Sequence, residues 1–447
     1  MAENVLVPGK PRLGWLADGD ESTPDIAVML EDTGSQIEVT VPTKGVFGRD
    51  DPYGRWFSES VSFGDDPDRT KYAYRPPDII QVQDKDGPVV LVGCRSSGHW
   101  LNLTGPGQGK IVASFAILGA RHLNYSRING LRAEFPALAP WTGLRSVRTE
   151  PKTDGTGRVQ RVEVILDSPP SQALSRRMNL ALRPTWRTSY PDTVGTFAAH
   201  DVVELMTATK APRPWEDHID QLAAIRELLA LSAWRRFGFS RLAVNRGDDP
   251  ERVLSGDAIG ERWAEASTHR LPKHEPWART PHFLFSYDDI SATGVRRWIR
   301  VRDHFARSLR PLVGLTDQPN SYLEVKLVQS GIALEALGYQ LAVDQGKVKQ
   351  GKRLQQTYAD AMRTILADMV YVPLTDPERW ITRSTDHYRG TKHADNQPPD
   401  AVEAANTMRE NLLVARFWLA GRLGVKRQVL ESRLERDPMS SPYVVSE

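Results

Sequence analysis

Residues 321–343 read SYLEVKLVQSGIALEALGYQLAV. Apolar side chains fall on nearly every face of a 3.6-residue period here, and the charges are Glu324, Lys326 and Glu335. A helix that is apolar all round is buried, so the stretch predicts the central helix of a bundle. Gly331 and Gly338 lie on nearly the same face, where a missing side chain lets a second helix come close. Glu335 interrupts the apolar run. It is either a carboxylate that orients a His or Arg in a site, or one exposed position on a buried helix.

Helical patterning continues on both sides of this stretch. Trp298, Phe305, Leu309 and Leu312 form an apolar stripe over 295–312, and a third helix is expected over roughly 350–370. Asp376 followed by Pro377 reads as an N-cap and first helical position. Asp400, with Glu403 three residues on, starts a fifth helix as in a capping box. Its stripe is Ala401, Ala405, Met408, Leu412, Ala415 and Leu419, and Gly424 is its stop. Short connections favour an antiparallel bundle. Farther back, Leu222, Ile225, Leu228, Leu229 and Ser232 predict a helix over 215–236, after Pro212 and Pro214. A short strand near 239–245 follows it. The stretch to about 285 is poorly patterned, but Trp263, Trp277, Phe283 and Phe285 imply that it is packed.

The first 200 residues change period. Ile37, Val39 and Val41 alternate with polar neighbours, and 79–83, 89–94, 111–119 and 159–166 are similar short runs. In the last, Val162, Val164 and Leu166 face one way. Gly, Pro, Asp and Asn clusters separate the runs, as strand-connecting turns require. Residues 42–78, rich in Gly, Pro and Asp, read as a long loop. The expected fold is α+β and multidomain, with a β-rich part over 1–285 and an all-α part over 286–447.

Composition narrows the function classes. At 447 residues, two or three domains are expected. The formal net charge of +2 excludes a uniformly basic nucleic-acid binder, though a local basic face is compatible with it. Cys94 is the single cysteine, so no intramolecular disulfide can form. That suits a reducing cytosol and removes any weight from the sequons at Asn102 and Asn124. The opening MAENVLVPGKPRLGW has no basic stretch followed by an apolar run, and no window approaches 18 uncharged apolar residues. No secretion signal or membrane span is therefore expected, and the expected location is cytoplasmic. GPGQGK at 105–110 is one residue short of a phosphate loop and has Ile111 where Ser or Thr must stand, so a hairpin turn is expected there. His269, His274 and Glu275 lack zinc-site spacing, so no metal is expected. No cofactor motif occurs.

Several segments resemble the ApeA family of anti-phage abortive-infection proteins. VVLVGCRSSGHWLNL, SFAILGARHLN and LRAEFPALAPWTG are similar to its N-terminal domain, in which a strand, GA-[HR], a strand and L-x-x-W follow one another. Trp141 would be that tryptophan. SYLEVKLVQSGIALEALGYQL resembles the helix that opens the family's HEPN domain, and YRGTKHADNQPPD resembles its motif region. The resemblance implies a β-rich sensing or regulatory domain followed by a HEPN helical bundle. It further implies endonucleolytic RNA cleavage without metal, usually by dimers that bring two Arg/His motifs together. The implied substrate is host tRNA or another translation RNA. The implied partners are a phage-derived trigger and a second copy of the chain, or a higher homo-oligomer.

Such cleavage uses the RNA's own 2′-hydroxyl as nucleophile. It needs a base, for which His is suited near neutrality, and a cation to hold the developing phosphorane charge, for which Arg is suited. Arg389 and His393 stand four apart and share a face if the helix persists; Gly390 could instead end it. Arg383 and His387 repeat the spacing earlier. The family's motif has a slightly longer spacer than either pair, and often an Asn where this chain has Gly390. The KHAD segment matches best, which favours Arg389 and His393, with Lys392 as a further phosphate contact. An Arg and a His near a helix end also cap carbonyls in many proteins. Arg296, Arg297, Arg300, Arg307 and Arg310 lie on one expected helix, and Lys347, Lys349, Lys352 and Arg353 in the next connection. Both sets could track an RNA backbone or simply be solvated. Two rival readings stay open. One is a non-catalytic HEPN dimerisation or binding module. The other gives the main function to a carbohydrate- or peptide-binding β-rich half, whose Trp100, Trp141 and Trp186 are otherwise expected in the core.

Overall fold

The period-two runs form strands in the computed structural model of the chain, which describes residues 4–17, 25–44, 53–57, 74–100, 102, 105–121, 123–190, 195–349 and 357–444. In order they are β1 (Arg12–Ala17), β2 (Ile26–Asp32), β3 (Ile37–Thr43), β4 (Ile79–Asp84), β5 (Gly87–Val92), β6 (Arg95–Trp100), β7 (Gly107–Ala113), β8 (Phe115–Leu118) and β9 (Arg127–Glu134). A short helix α1 (Leu138–Thr142) precedes β10 (Val147–Thr153), β11 (Val159–Leu166), β12 (Gln172–Ser175), β13 (Leu180–Ser189) and β14 (Ala198–Pro214). Helix α2 (Trp215–Ala233) leads to β15 (Arg241–Asn245), β16 (Glu251–Arg252), β17 (Ala258–Gly260) and β18 (Trp263–Ser267). Among the described residues only helices follow: α3 (Tyr287–His304), α4 (Ala306–Asp317), α5 (Leu323–Asp344), α6 (Tyr358–Asp368), α7 (Pro377–Lys392), α8 (Ala401–Leu423) and α9 (Arg427–Leu434). The fold is thus α+β, a β-rich N-terminal half followed by a helical region.

The chain divides into two compact units. The first comprises Met1–Phe135, Glu204–Asp220 and Phe239–His274. Its strands run in the order β14-β9-β15-β18-β8-β5-β4-β1-β2-β3-β7-β6, and the pairings given for them are antiparallel. Alternation sends one side chain in two inward. Leu30, Val39 and Ile111 meet in one cross-strand row and are all buried. Leu16 pairs with Val82 and Ile80 with Leu91 in the same core. Gly109 has a packing role, because a Cβ there would lie 2.2 Å from the Phe57 ring. GPGQGK is therefore mostly strand β7 rather than a turn. Buried Cys94 has its thiol pushed up to about 12 by burial and by nearby Asp78, which disfavours the nucleophilic thiolate.

The second unit comprises Pro136–Val203, Gln221–Gly238 and Glu275–Glu447. Helix α5 packs against α4, α6, α7 and α8, the central place its patterning predicts. Both glycines are close-approach points: an added Cβ at Gly331 would sit 2.5 Å from the Tyr388 ring, and one at Gly338 2.6 Å from Ala361. Asp376 accepts from Arg379 N–H at 3.0 Å, and Asp400 from Val402 and Glu403 N–H at 2.9 and 3.1 Å. Gly424 closes α8 with φ +101°.

Some expectations fail in detail. The helix expected over 295–312 is two helices, because Phe305 leaves helical geometry (φ −103°, ψ 28°) and packs edge-on against Trp418 at 4.9 Å. The third helix starts at Tyr358, where Thr357 and Asp360 form a capping box; residues 350–356, with Lys352 and Arg353, lie outside the described residues. Most of the 42–78 loop does too. Val162 and Val164 alternate as predicted but stay exposed, since among the described residues β10 and β11 pair only with each other. Trp141 is in the core at 1% exposure, whereas Trp100 and Trp186 are 60% and 39% exposed. Trp100 ends β6, the last strand in its order. Helix α9 was not legible: it is rich in Arg and Glu, and Leu430 is its one buried residue.

Candidate functional site

Helix α7 carries both Arg/His pairs, and its neighbours give its faces different environments. One face is fixed by a buried polar network. Trp380 Nε1 and Ser384 Oγ each donate to Asn411 Oδ1 at 2.9 Å, and Asn411 Nδ2 donates to Ser330 Oγ at 3.2 Å. Tyr358 O–H lies 3.2 Å from Ser384 Oγ. Helices α5, α6, α7 and α8 are thereby pinned at one level. A turn later Tyr388 stacks on Tyr358 at 4.9 Å and donates to Glu335 Oε2 at 3.1 Å. Glu335 thus holds a tyrosine; no bond to a His or Arg is found for it among the described residues.

Arg383 and His387 face α8. Arg383 pairs with Glu410, and the buried Arg409 guanidinium, held below its usual range by burial against the pull of Glu410, donates to Met439 O. His387 Nδ1 lies 2.9 Å from Thr407 Oγ1, and Thr407 Oγ1 donates to Glu403 O at 2.9 Å. A hydroxyl has one hydrogen. With that hydrogen on the Glu403 carbonyl, Nδ1 must carry the imidazole proton, which leaves Nε2 basic. Glu403 Oε2 is 3.9 Å from Nε2, beyond hydrogen-bond distance. Burial lowers the His387 pKa and the Glu403 carboxylate opposes the shift, so the neutral ring is favoured.

Arg389, Lys392 and His393 occupy the exposed end of α7. The helix persists through Gly390 to Lys392, and His393 is its C-cap, donating its N–H to Arg389 O at 3.0 Å. Gly390 is required there, because a Cβ would meet Gln397 O at 2.6 Å as the chain turns back. Lys392 Nζ sits 5.2 Å from the Tyr388 ring centre. The side chains of Arg389 and His393 have no hydrogen-bond or ion-pair partner among the described residues. The two Arg/His pairs are therefore separate, one engaged by α8 and one facing solvent.

The arginines read as one basic helix are divided. Arg296, Arg297 and Arg300 lie on α3, Arg307 and Arg310 on α4. Arg296 bonds Leu174 O and Thr293 Oγ1 at 3.4 and 3.0 Å, while Arg300 and Arg307 are exposed. His269 contacts Asp32 at 2.7 Å. Among the described residues no group of three His, Cys, Asp or Glu side chains could hold a metal, and no helix is long and apolar enough to cross a membrane. Sequence reasoning missed Thr407, Glu410 and Asn411. With Glu403 they form a polar stripe at helical spacing on α8, a signal present in the sequence but set aside in favour of the apolar stripe.

A β-rich N-terminal half followed by a helical region, with two Arg/His pairs on one helix, is the α+β class of protein that the fold defines. Residues 12–298, more than half of the chain, match the family model described as ApeA N-terminal domain 1. The chain belongs to the ApeA family. That family suggests anti-phage defence and is associated with HEPN nucleases in that setting. No curated protein and no solved structure gives a match.

Proposed function

We propose that the chain is a HEPN-type endoribonuclease of an anti-phage abortive-infection system, acting in the cytoplasm on host tRNA or another translation RNA. Residues 1–285 sense a phage-derived trigger and restrain residues 286–447, which act as a homodimer or higher assembly. The observation that carries this is the exposed end of α7, where Arg389 and His393 have no side-chain partner among the described residues and Lys392 stands beside them, in a chain of this family. In the proposed step His393 takes the 2′-hydroxyl proton and O2′ attacks phosphorus. The P–O5′ bond breaks, and the leaving oxygen is protonated to a 5′-hydroxyl, leaving a 2′,3′-cyclic phosphate. Arg389 holds the phosphorane charge and no metal takes part. Arg296, Arg300 and Arg307 would contact the RNA backbone.

A second reading rests on the other pair. Arg383 is neutralised by Glu410 and His387 is tied to Thr407, which favours a non-catalytic dimerisation or binding module if α7 as a whole does no chemistry. The test is phage protection and toxicity in bacteria at matched expression, comparing wild type with Arg389→Ala and His393→Ala. Loss in both folded variants, with RNA sequencing that finds a cut, supports cleavage at this pair. Wild-type behaviour in both turns the test to Arg383 and His387. Cellular RNA left intact by the triggered wild-type protein overturns the ribonuclease reading.

A further inference from the structure

Helix α2 ends against backbone preference. Trp234 follows its last residue with φ +47°, and Arg235 N–H reaches back to Ala230 O at 3.1 Å. This is a Schellman closure, whose left-handed position usually holds glycine because a Cβ is strained there. A tryptophan kept in such a position marks a place where the side chain has another use. Trp234 lines a cavity of about 960 Å³ in the second unit, a volume in the range of small-molecule sites. Trp277 lines it too and packs edge-on against Phe237 at 5.8 Å. Leu412 adds apolar surface and Asn320 a polar group.

The charges lining this space leave a cationic surplus. Asp317 is engaged by Arg226 at 2.7 and 3.0 Å, and Glu275 by Arg236 at 3.1 Å. Lys326 Nζ donates to the Pro319 carbonyl at 2.7 Å and has no carboxylate partner among the described residues. The Arg235 side chain has no partner among them. Two indoles and two cations without a carboxylate partner among the described residues, around one concavity, match a base joined to a phosphate: bases stack on tryptophan, and phosphate takes charge-assisted hydrogen bonds. We propose that this cavity binds a nucleotide, with the base on Trp234 and Trp277 and the phosphate on Arg235 and Lys326. The nucleotide is either free or an unpaired residue of an RNA chain.

The test is calorimetric binding of adenosine 5′-monophosphate and of a single-stranded adenosine hexamer to the full chain. Arg235→Ala and Trp277→Ala are expected to weaken binding about tenfold, the range of one base stack or one charged phosphate contact. Trp234→Gly is the decisive variant. It is expected to weaken binding similarly while unfolding at the same or a higher temperature, since glycine relieves the strained backbone. Mutual displacement of the two ligands supports the site, and binding of the monophosphate alone or of the hexamer alone assigns it to a free nucleotide or to RNA. Absence of binding by both at millimolar concentration overturns the proposal, as does wild-type affinity in all three variants. The readout is binding, so it holds whether or not the chain cleaves RNA.

Discussion

His387 shows how one hydroxyl sets the chemistry of a ring. Thr407 Oγ1 is the only acceptor found for Nδ1 among the described residues, and its own hydrogen is used on Glu403 O. Thr407→Val is therefore expected to free the ring and to cost about 1–3 kcal/mol for the orphaned buried donor. Nitrogen NMR should show a pure Nδ1–H tautomer in wild type and in Thr407→Ser, and a mixture in Thr407→Val; an Nε2–H wild type would refute the assignment. His218 is a different case. It is buried between Thr207 Oγ1 and Ile128 O at 2.8 and 3.2 Å, and burial lowers its pKa to about 4. A folded value below the unfolded 6.5 means that its contribution is complete above pH 6.5 and is lost as pH falls toward 4. Denaturant titrations at pH 7.5 and 4.5 should show wild type losing up to about 3 kcal/mol more than His218→Gln. Equal losses would mean that His218 is not the titrating group.

At the scale of elements, α7 is positioned by polar groups as much as by apolar packing. Asn411 satisfies Trp380, Ser384 and Ser330 at once. Asn411→Leu leaves the buried Trp380 N–H unpaired, while Ser384 keeps the Tyr358 hydroxyl and Ser330 keeps Leu327 O, and is expected to cost about 1–3 kcal/mol, measured as a drop in urea midpoint. A change under about 0.5 kcal/mol would show that the network is replaceable by apolar contact. Helix starts and stops were legible because caps are local: Asp376, Asp400 and Gly424 act within a few residues of themselves. The α3–α4 break was not, because Phe305 turns out of the helix to meet Trp418, more than a hundred residues on. Val162 and Val164 teach the complementary lesson. Alternation specifies a strand, but burial depends on a second layer that the alternation cannot supply.

At the scale of the molecule, the helical unit is tied together by a buried ion pair. Arg416 donates to Asp437 Oδ1 at 2.7 Å and to the carbonyls of Leu231 and Ser232, joining α8, the end of α2 and the C-terminal segment. Arg416→Met strands a buried carboxylate and is expected to cost about 3–5 kcal/mol, whereas Arg416→Met with Asp437→Leu should recover most of it. Thermal unfolding of both variants checks this, and equal loss in the two would show that the carbonyl contacts dominate. The sequence by itself determined the change from a β-rich part to a helical one, the central place of α5 with its two close-approach glycines, and the concentration of Arg/His pairs on α7, because period, capping and composition are local properties of the chain. Only the tertiary structure decided that Arg383 and His387 are engaged while Arg389 and His393 have no side-chain partner among the described residues, and that Trp234 and Trp277 share a cavity. Those outcomes depend on which distant side chain arrives opposite each residue, which packing settles and spacing along the chain does not.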